Sequence, residues 1–256
     1  NDGSVERPVR LPAALKGARL AGAGSSPSFQ LDLGVDDTYI KLADETILPK
    51  AHSSGYVKKM KLKCKGLDST AIGIPLTEDS DGDGGEDTTG SRGSYDAAVT
   101  GVALALKAVD IVADGTCVNA FCATRPPGHH AGRTVHAMKA VSNGFCIFNP
   151  AACAAIYATT DQSEGGLGMK RVCVIDFDVH HGNGTQDILC NTHNPHFLYV
   201  SLHAGGPLVN GYETDDTDIL ELASTKSRKP DGIFPGRCGD TSPHPGVLNI
   251  PLGAKV

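Results

Sequence analysis

The sequence predicts a single α/β domain over residues 1–256, with a mainly parallel central sheet flanked by helices. Two patterns favour this class. Short apolar runs typical of strands alternate with segments of helical periodicity, as in parallel sheets built from strand–helix–strand units. Those runs are continuously apolar, as in strands that are buried on both faces. A chain of 256 residues, 40% of them hydrophobic, is also long enough to bury one large core.

Helical patterns dominate the first half of the chain. Residues 8–20 and 56–64 each predict a short helix, and the second of these has a basic outer face. Residues 78–93 form a polar, glycine-rich acidic loop. Ser94 then has the position of an N-cap for a long helix. The buried face of that helix is expected to carry Ala97, Ala98, Val102, Ala105, Leu106 and Val109.

Four apolar runs predict the strands of the sheet. Residues 118–123 are interpreted as a buried strand, because the run is too short for a helix and is bounded by glycine and proline. The other three strands are expected over 171–177, 197–202 and 247–251. Between the first two strands, Pro150 opens a helix over 150–159, with Asn149 as its N-cap.

Composition argues against several classes of protein. The net charge of −6 argues against a general nucleic-acid binder, and no run of about 18 apolar residues exists that would span a membrane. The eight cysteines include no CxxC pair and are interpreted as buried thiols in a reducing compartment, which favours an intracellular location in the nucleus, the cytoplasm or an organelle. The chain lacks an initial Met and stops just after its last predicted strand, so a partial domain is expected.

Residues 176–184, with the sequence DFDVHHGNG, carry the strongest chemical signal. On an extended strand Asp176, Asp178 and His180 share one side, at the carboxyl end where parallel sheets bind ligands. Two carboxylates and an imidazole placed together favour a divalent cation, and aspartate oxygen with histidine nitrogen suits zinc or another first-row metal. The alternative is that the aspartates cap a nearby helix and the histidines lie at the surface.

A further histidine pair, His129 and His130, lies in the loop RPPGHHAGR. The prolines stiffen this loop and Gly128 frees its backbone at the turn. Each imidazole needs an acceptor on its far ring nitrogen, and Asp176 and Asn183 are available for this. One acidic and one amide partner would give the two imidazoles different pKa values, which suits separate electrostatic and general-base roles. The alternative is a loop dihistidine that merely packs or binds metal adventitiously.

Four motifs in chain order resemble the zinc-dependent histone deacetylase family: RPPGHHAG, NGFCIFN, VIDFDVHHGNGTQD and YVSLH. The resemblance runs from about Glu6 through nearly the whole chain, and it is strongest between residues 94 and 203. Asn183 and the GNGTQ segment are similar to the class II branch and to related bacterial and organellar amidohydrolases. The resemblance implies a three-layer arginase/deacetylase-like fold, incomplete at its C-terminal end, and a zinc-dependent amidohydrolase.

The resemblance also implies roles for the site residues. Asp178 and His180 match two of the three zinc ligands of the family. His130 matches the general base and acid that activates water, and His129 matches the imidazole that stabilises the oxyanion and the leaving group. The groups behind the two histidines are matched as well, by Asp176 and Asn183.

Substrate-binding and second-ion positions follow from the same resemblance. Gly144 and Phe145 match one wall of an acyl-lysine tunnel, and Phe234 matches the opposing aromatic wall. Without the resemblance, both phenylalanines would be interpreted as core residues. Arg10 is similar to an arginine that lines an internal acetate pocket. An inner potassium site is implied at Asp176, Asp178, His180, Ser201 and Leu202.

Two expected family features do not occur before Val256: the third zinc-binding Asp and a Gly-Gly-Tyr segment. The chain as given is therefore expected to bind zinc weakly and to be inactive. Three functions stay open: a deacetylase for N-acetyl-lysine in histones or other proteins, with a corepressor complex as partner; a hydrolase for acetylpolyamines or other small acylated amines; and a catalytically weak acetyl-lysine-binding scaffold. The acidic loop is either a solvated rim or a surface that attracts cationic substrates.

Overall fold

The computed structural model of the chain describes residues 9–22, 34–77, 87–140, 142–192, 194–205 and 244–253. The α-helices in these ranges are α1 (Arg10–Gly22), α2 (Asp37–Lys41), α3 (Leu48–Ala51), α4 (Ser54–Gly66), α5 (Ser94–Ala113), α6 (Pro150–Thr159) and α7 (Asn183–Asn191). A π-helical segment, Leu42–Ile47, joins α2 to α3. Single 3-10 turns occupy Ala137–Lys139 and Gln162–Glu164.

The strands form two sheets in the described part of the chain. A small antiparallel pair joins β1 (Ile74–Pro75) to β2 (Thr89–Gly90). The larger sheet is parallel throughout and has the strand order β3 (Val172–Asp176), β4 (Phe197–Gly205), β5 (Val247–Gly253). These three strands confirm the predictions at 171–177, 197–202 and 247–251.

Helix starts follow the local capping chemistry of the sequence. Ser53 accepts a hydrogen bond from the backbone N–H of Tyr56 at 3.2 Å and so caps α4. Asn149 accepts one from the backbone N–H of Ala152 at 3.0 Å, with Pro150 at the first helical position of α6. The helices predicted over residues 8–20, 56–64 and 150–159 are confirmed as α1, α4 and α6.

The long helix α5 begins close to the expected place but with a different cap. Gly93 occupies the N-cap position, and the Ser94 hydroxyl accepts a hydrogen bond from the Ser91 backbone N–H at 2.9 Å instead of capping the helix. Ala97 is exposed, because it lies beside the stripe that packs and not within it. The rest of the expected face is buried or partly buried: Ala98, Val102, Ala105, Leu106 and Val109.

The hydrophobic core lies between α5, α6 and one face of the parallel sheet. Phe148 is at its centre, with the rings of His52, Tyr95 and Tyr56 at centroid distances of 5.3, 5.5 and 6.1 Å. Val174 of β3 packs against this cluster. Gly128, in the loop that carries His129 and His130, packs against the backbone of Phe148. The core therefore supports this loop.

The prediction of a buried strand over residues 118–123 is wrong. No strand is assigned there, and Val118 and Phe121 are 95% and 65% exposed. The segment instead follows α5, where the Cys122 thiol reaches the carbonyl of Leu104 at 3.6 Å. A short apolar run becomes a strand only where a neighbouring backbone pairs with it, and pairing is not encoded in the run itself.

One face of the parallel sheet carries exposed apolar side chains. Ile175 is 60% exposed and Leu248 is 50% exposed, and Cys173, Leu198 and Leu252 are exposed on the same face. The helices in the described part of the chain pack on the opposite face. Coverage of both faces, which the continuous apolar runs had suggested, is therefore not observed among these residues.

The cysteines fit the expectation only in part. None of the seven cysteines in the described ranges forms a disulfide, as expected, and Cys64, Cys146 and Cys153 are buried. Cys122 and Cys173 are exposed, against the expectation. Across the described helices, none combines the length and apolar character needed to cross a membrane.

Candidate active site

The tandem histidine loop is held by close backbone packing. A Cβ atom at Gly128 would lie 2.3 Å from Cδ of Pro150, so only glycine fits against the start of α6. A Cβ atom at Gly184 would lie 2.4 Å from the carbonyl carbon of His130. The backbone N–H of Thr185 donates to the carbonyl of His129 at 3.0 Å. The loop is therefore fixed between the first turns of α6 and α7.

The acidic motif reaches the site through a turn and not along a strand. Strand β3 ends at Asp176. The backbone N–H of Asp178 donates to Oδ1 of Asp176 at 3.1 Å, and that of His180 donates to Oδ1 of Asp178 at 2.8 Å. These i to i+2 bonds turn the chain. The expectation that the three residues share one side of an extended strand was therefore wrong in its geometry, although the residues do come together.

His129 is paired with a carboxylate. Its Nδ1 atom lies 3.0 Å from Oδ2 of Asp176, and since a carboxylate only accepts, Nδ1 carries the proton. Burial opposes ionisation of Asp176, but hydrogen bonds from His129, the Asp178 backbone and Tyr199 outweigh it, and the pKa of Asp176 is lowered. The carboxylate is therefore ionised at neutral pH.

His130 is paired with an amide. The Asn183 Nδ2 atom donates to the carbonyl of Ala137 at 2.8 Å, which turns the amide oxygen toward His130 Nδ1 at 2.7 Å. His130 therefore carries its proton on Nδ1, and Nε2 keeps its lone pair. Burial, with the neighbouring His129, lowers the pKa of His130 to about 3. This imidazole is neutral at neutral pH.

Asp178 and His180 form a third, more exposed pair. Oδ1 of Asp178 lies 3.0 Å from Nδ1 of His180, and the two side chains are 49% and 41% exposed. The hydrogen bond to His180 is the main reason that the pKa of Asp178 is well below its usual range. Nε2 of His129 lies 3.9 Å from Oδ1 of Asp178.

The two clusters meet at one place. The ring centroids of His129 and His130 are 4.0 Å apart, and those of His130 and His180 are 5.8 Å apart. Because tandem imidazoles and acidic motif face each other, the surface-histidine alternative does not describe this site. The alternative of helix-capping aspartates is not observed either, since α7 has no side-chain cap and Asp176 pairs with His129.

The donor atoms of Asp178 and His180 fit two positions of a zinc coordination sphere. Oδ1 of Asp178 and Nδ1 of His180 are 3.0 Å apart and share a hydrogen bond, and a carboxylate oxygen and a deprotonated imidazole nitrogen are both donors that zinc accepts. Within the described ranges, however, no group of three or more His, Cys, Asp or Glu side chains is gathered as a complete metal site.

The second histidine of the acidic motif points away from this site. His181 Nε2 lies 2.9 Å from Oε1 of Gln186, and its ring lies 4.8 Å from that of His203. The Ser201 hydroxyl lies 2.9 Å from Nδ1 of His203 in the same buried group. Burial, with His203 nearby, lowers the pKa of His181 to about 4, so the His181 imidazole is uncharged at neutral pH.

The expected potassium ligands lie at the end of β3, in the turn that follows it, and within the adjacent strand β4. In the parallel register Asp176 of β3 pairs with Ser201 of β4, and Leu202 follows directly. Asp178 and His180 belong to the turn beyond β3. The five residues are therefore neighbours, and their role as potassium ligands stays a prediction.

The expected tunnel strip lies next to the tandem histidines. Gly144 and Phe145 have φ values of +51° and +68°, so the chain turns sharply here. The buried Cys146 thiol that follows is within hydrogen-bonding reach of the backbone of His130 and Ala131. Phe234 lies outside the described residues. Arg10 is exposed at the start of α1, so the structure does not place it in an enclosed pocket.

An open groove of about 490 Å³ runs along the outer edge of β3. Its lining includes His129, Asp176 and Asp178, apolar side chains of β3 and of the turn that follows it, and Gly128, Ala151 and Thr185 from the histidine loop, α6 and α7. Gly144 and Phe145 do not contribute to this groove. The expected tunnel strip is therefore not part of this groove.

Two residues that sequence reasoning missed, Tyr199 and His52, help to build this site, and Gly182 has a further role in it. Tyr199 donates toward Asp176, Gly182 makes room for that contact, and buried His52 holds the histidine loop by bonding the carbonyl of Gly132 at 2.6 Å. The signal for Tyr199 was present, since a polar ring in an apolar strand needs a buried partner. His52 belongs to no motif and had no such signal.

Comparison with known proteins identifies the family of this chain. A family model described as the histone deacetylase domain matches residues 4–215. This chain belongs to the histone deacetylase family. The crystal structure of the HDA15 HD domain superposes with a TM-score of 0.55 at 28% identity, over 84% of this chain and 53% of that one. The α/β arginase/deacetylase-like fold class is thereby confirmed.

Two curated relatives illustrate the range of the family. Type-2 histone deacetylase 2 of Dictyostelium discoideum is 39% identical over 166 residues, which cover 59% of this chain and 9% of that protein. Polyamine deacetylase HDAC10 of Rattus norvegicus is 33% identical over 199 residues, which cover 78% of this chain and 29% of that protein. The chain thus spans less than a third of either relative.

Proposed function

We propose that this chain carries the hydrolytic site of a zinc-dependent deacetylase that cleaves N-acetyl-lysine amides in histones or other proteins. One observation carries the proposal. A buried, neutral His130 donates its Nδ1 proton to Asn183, so Nε2 is its unprotonated ring nitrogen, and the ring lies beside the Asp178–His180 pair. An imidazole in this protonation state, next to candidate metal ligands, is what a general base requires.

Asp178 and His180 would hold the zinc ion, together with a ligand outside the described residues. When bound, zinc supplies a Lewis acid that polarises the amide carbonyl and lowers the pKa of water toward about 7. His130 accepts the proton of the attacking water at Nε2, because Nδ1 is already protonated and held by Asn183. It then delivers that proton to the departing lysine amine.

His129 has the complementary role in this proposal. Its Nδ1–H is bound to the ionised Asp176, which compensates positive charge on the imidazole. Nε2 of His129 faces the reacting side, 3.9 Å from Asp178. A ring held in this way stabilises the negative charge that develops on the amide oxygen.

Acetylated polyamines are a second candidate substrate class. The rat relative is named a polyamine deacetylase, and it is aligned over 78% of this chain. A tunnel lined by Gly144 and Phe145 would accept the unbranched stem of either amine. The choice between the two substrate classes then depends on residues at the tunnel mouth and not on the hydrolytic groups.

The test compares the two substrates on the zinc-loaded full-length protein. We expect hydroxamate-sensitive release of acetate from an acetyl-lysine peptide, and faster turnover of that peptide than of N-acetylspermidine. His130→Ala should abolish turnover with zinc content unchanged, whereas His180→Ala should lower zinc content. The exposed His196→Ala serves as the matched control and should change neither. Absence of hydroxamate-sensitive turnover in the wild-type protein would refute the proposal, and loss of zinc from His130→Ala would refute the role of His130.

A further inference from the structure

Tyr199 lies behind two hydrogen-bonded pairs of the site, His129–Asp176 and His130–Asn183. It belongs to the middle strand of the parallel sheet, with Val174 of β3 on one side and Val247 of β5 on the other. Its backbone N–H donates to the carbonyl of Gly246 at 2.8 Å, and its side chain is fully buried. The ring is therefore held on a rigid element, and its hydroxyl has a defined position.

The Tyr199 hydroxyl reaches two acceptors. Oδ2 of Asp176 lies at 3.2 Å and the carbonyl oxygen of Gly182 lies at 3.1 Å. Oδ2 is the same atom that accepts the hydrogen bond from Nδ1 of His129. A phenol has one proton, so the hydroxyl is shared between the carboxylate and the carbonyl.

Gly182 connects this hydroxyl to the other histidine pair. It occupies the N-cap position of α7, and the next residue, Asn183, accepts the hydrogen bond from His130. A Cβ atom at Gly182 would lie 2.1 Å from Oδ2 of Asp176 and 2.3 Å from the Tyr199 oxygen, so the three groups meet without spare room. The Tyr199 hydroxyl thus connects Asp176, the partner of His129, to the first turn of α7, which carries Asn183, the partner of His130.

We propose that Tyr199 is a positioning residue of the hydrolytic site: its buried hydroxyl ties the Asp176 carboxylate to the first turn of α7 and so fixes the two imidazoles relative to each other. This inference rests on the proposed function for its kinetic consequence. Its structural content, the position and tautomer of His129, is independent of any turnover. Tyr199 acts through Asp176 and does not touch the substrate.

The test is Tyr199→Phe, which removes only the hydroxyl. Tyr157→Phe is the matched control. The Tyr157 hydroxyl also donates to a partly buried aspartate, Asp110, at 2.7 Å, but this pair lies away from the site. We expect kcat to fall about tenfold for Tyr199→Phe with KM within about twofold, since the hydroxyl positions groups that act in the transition state. Tyr157→Phe should keep the wild-type kcat.

A second readout does not need activity. In the metal-free protein, the imidazole Nδ1–H signal of His129 in NMR spectra should shift and broaden in Tyr199→Phe, while that of His52 stays in place as an internal reference. Equal kcat losses in both variants, or an unchanged His129 signal, would overturn the proposal. Should the wild-type protein lack turnover, the proposed function fails and the His129 signal alone decides the role of Tyr199.

If the Tyr199→Phe variant does not fold, a third measurement on the wild-type protein tests the proposal. In the wild-type protein the Tyr199 hydroxyl proton should exchange slowly with water and show a cross-peak to the His129 imidazole. A rapidly exchanging hydroxyl proton would contradict the proposal.

Discussion

The amide oxygen of Asn183 lies 2.7 Å from Nδ1 of His130, and its orientation follows from the bond that the amide nitrogen donates to Ala137. The adjacent His129 has the carboxylate of Asp176 in the equivalent place. Two imidazoles whose rings are 4.0 Å apart thus have partners of different charge. This difference gives the two imidazoles separate surroundings: an amide beside the neutral His130 and a carboxylate beside His129.

Replacing Asn183 by aspartate should raise the pKa of His130 from its value of about 3. An ionised carboxylate stabilises the protonated imidazole, whereas the amide does not. The lost bond to Ala137 should also lower the free energy of unfolding by about 1–3 kcal/mol. NMR titration of the His130 ring in the metal-free protein measures the pKa.

The control for Asn183→Asp is Asn191→Asp, which adds the same charge near the other end of α7 on an exposed side chain. It should leave the titration of His130 in place. A His130 pKa that is the same in both variants would contradict the assignment of Asn183 as the partner of His130.

Gly182→Ala should damage the site by steric overlap. The added Cβ would lie 2.1 Å from Oδ2 of Asp176, and φ at this residue is −77°, so backbone conformation is not the obstacle. We expect a loss of about 1–3 kcal/mol in the free energy of unfolding, the usual range for overpacking. Urea denaturation measures it. Gly55→Ala on α4, where nothing lies within 4 Å of the added atom, should be neutral or stabilising; equal effects would contradict the close packing at Gly182.

His52 should make the protein less stable in mild acid. It is fully buried, its Nδ1 atom donates to the carbonyl of Gly132, and its Nε2 atom accepts from the Asn149 backbone at 3.1 Å. Burial lowers the pKa of His52 from 6.5 to about 4. Above pH 6.5 the ring is neutral in both states. Between pH 6.5 and 4 only the unfolded chain takes up the proton, so the free energy of unfolding falls by about 3 kcal/mol as pH falls.

His52→Gln tests this contribution, because glutamine does not titrate. The variant should lose about 1–3 kcal/mol at pH 7 through weakened hydrogen bonds, and its unfolding free energy should fall less steeply between pH 6.5 and 4. The exposed His196→Gln variant is the control, and its slope should match the wild type. An unaltered slope in His52→Gln would show that His52 titrates alike in the folded and unfolded chain.

Much of the candidate site followed from sequence because its chemistry lies in short segments. The residue types at 129–130 and 176–183 predict that an acid and an amide serve the two imidazoles, since each imidazole needs an acceptor, and the family resemblance predicts which group serves which ring. The turn at Asp176 was not predictable in the same way. Alternation along a strand places Asp178 correctly only if the strand continues, and side-chain bonds to the backbone ended it two residues earlier.

The strands show where pattern reasoning stops. Runs at β3, β4 and β5 were identified from apolar composition, and the same composition at 118–123 gave a wrong strand. The runs that form strands and the run at 118–123 have the same apolar composition, and only pairing with a distant part of the backbone distinguishes them. Burial on both faces likewise cannot be inferred from a continuous apolar run, because such a run contains no information about what covers it.

The uncovered face of the sheet leads to a last expected outcome. Ile175 pairs with Val200 across β3 and β4, and Val200 pairs with Leu248 of β5, so exposed side chains form a continuous apolar surface. Ile175→Thr with Leu248→Thr should reduce binding of the dye ANS and change the free energy of unfolding by less than about 1 kcal/mol, because threonine keeps strand propensity. Val174→Thr on the packed face is the control and should cost more than the double variant, since its side chain contacts the core. A larger loss in the double variant than in Val174→Thr would show that this face is covered in solution.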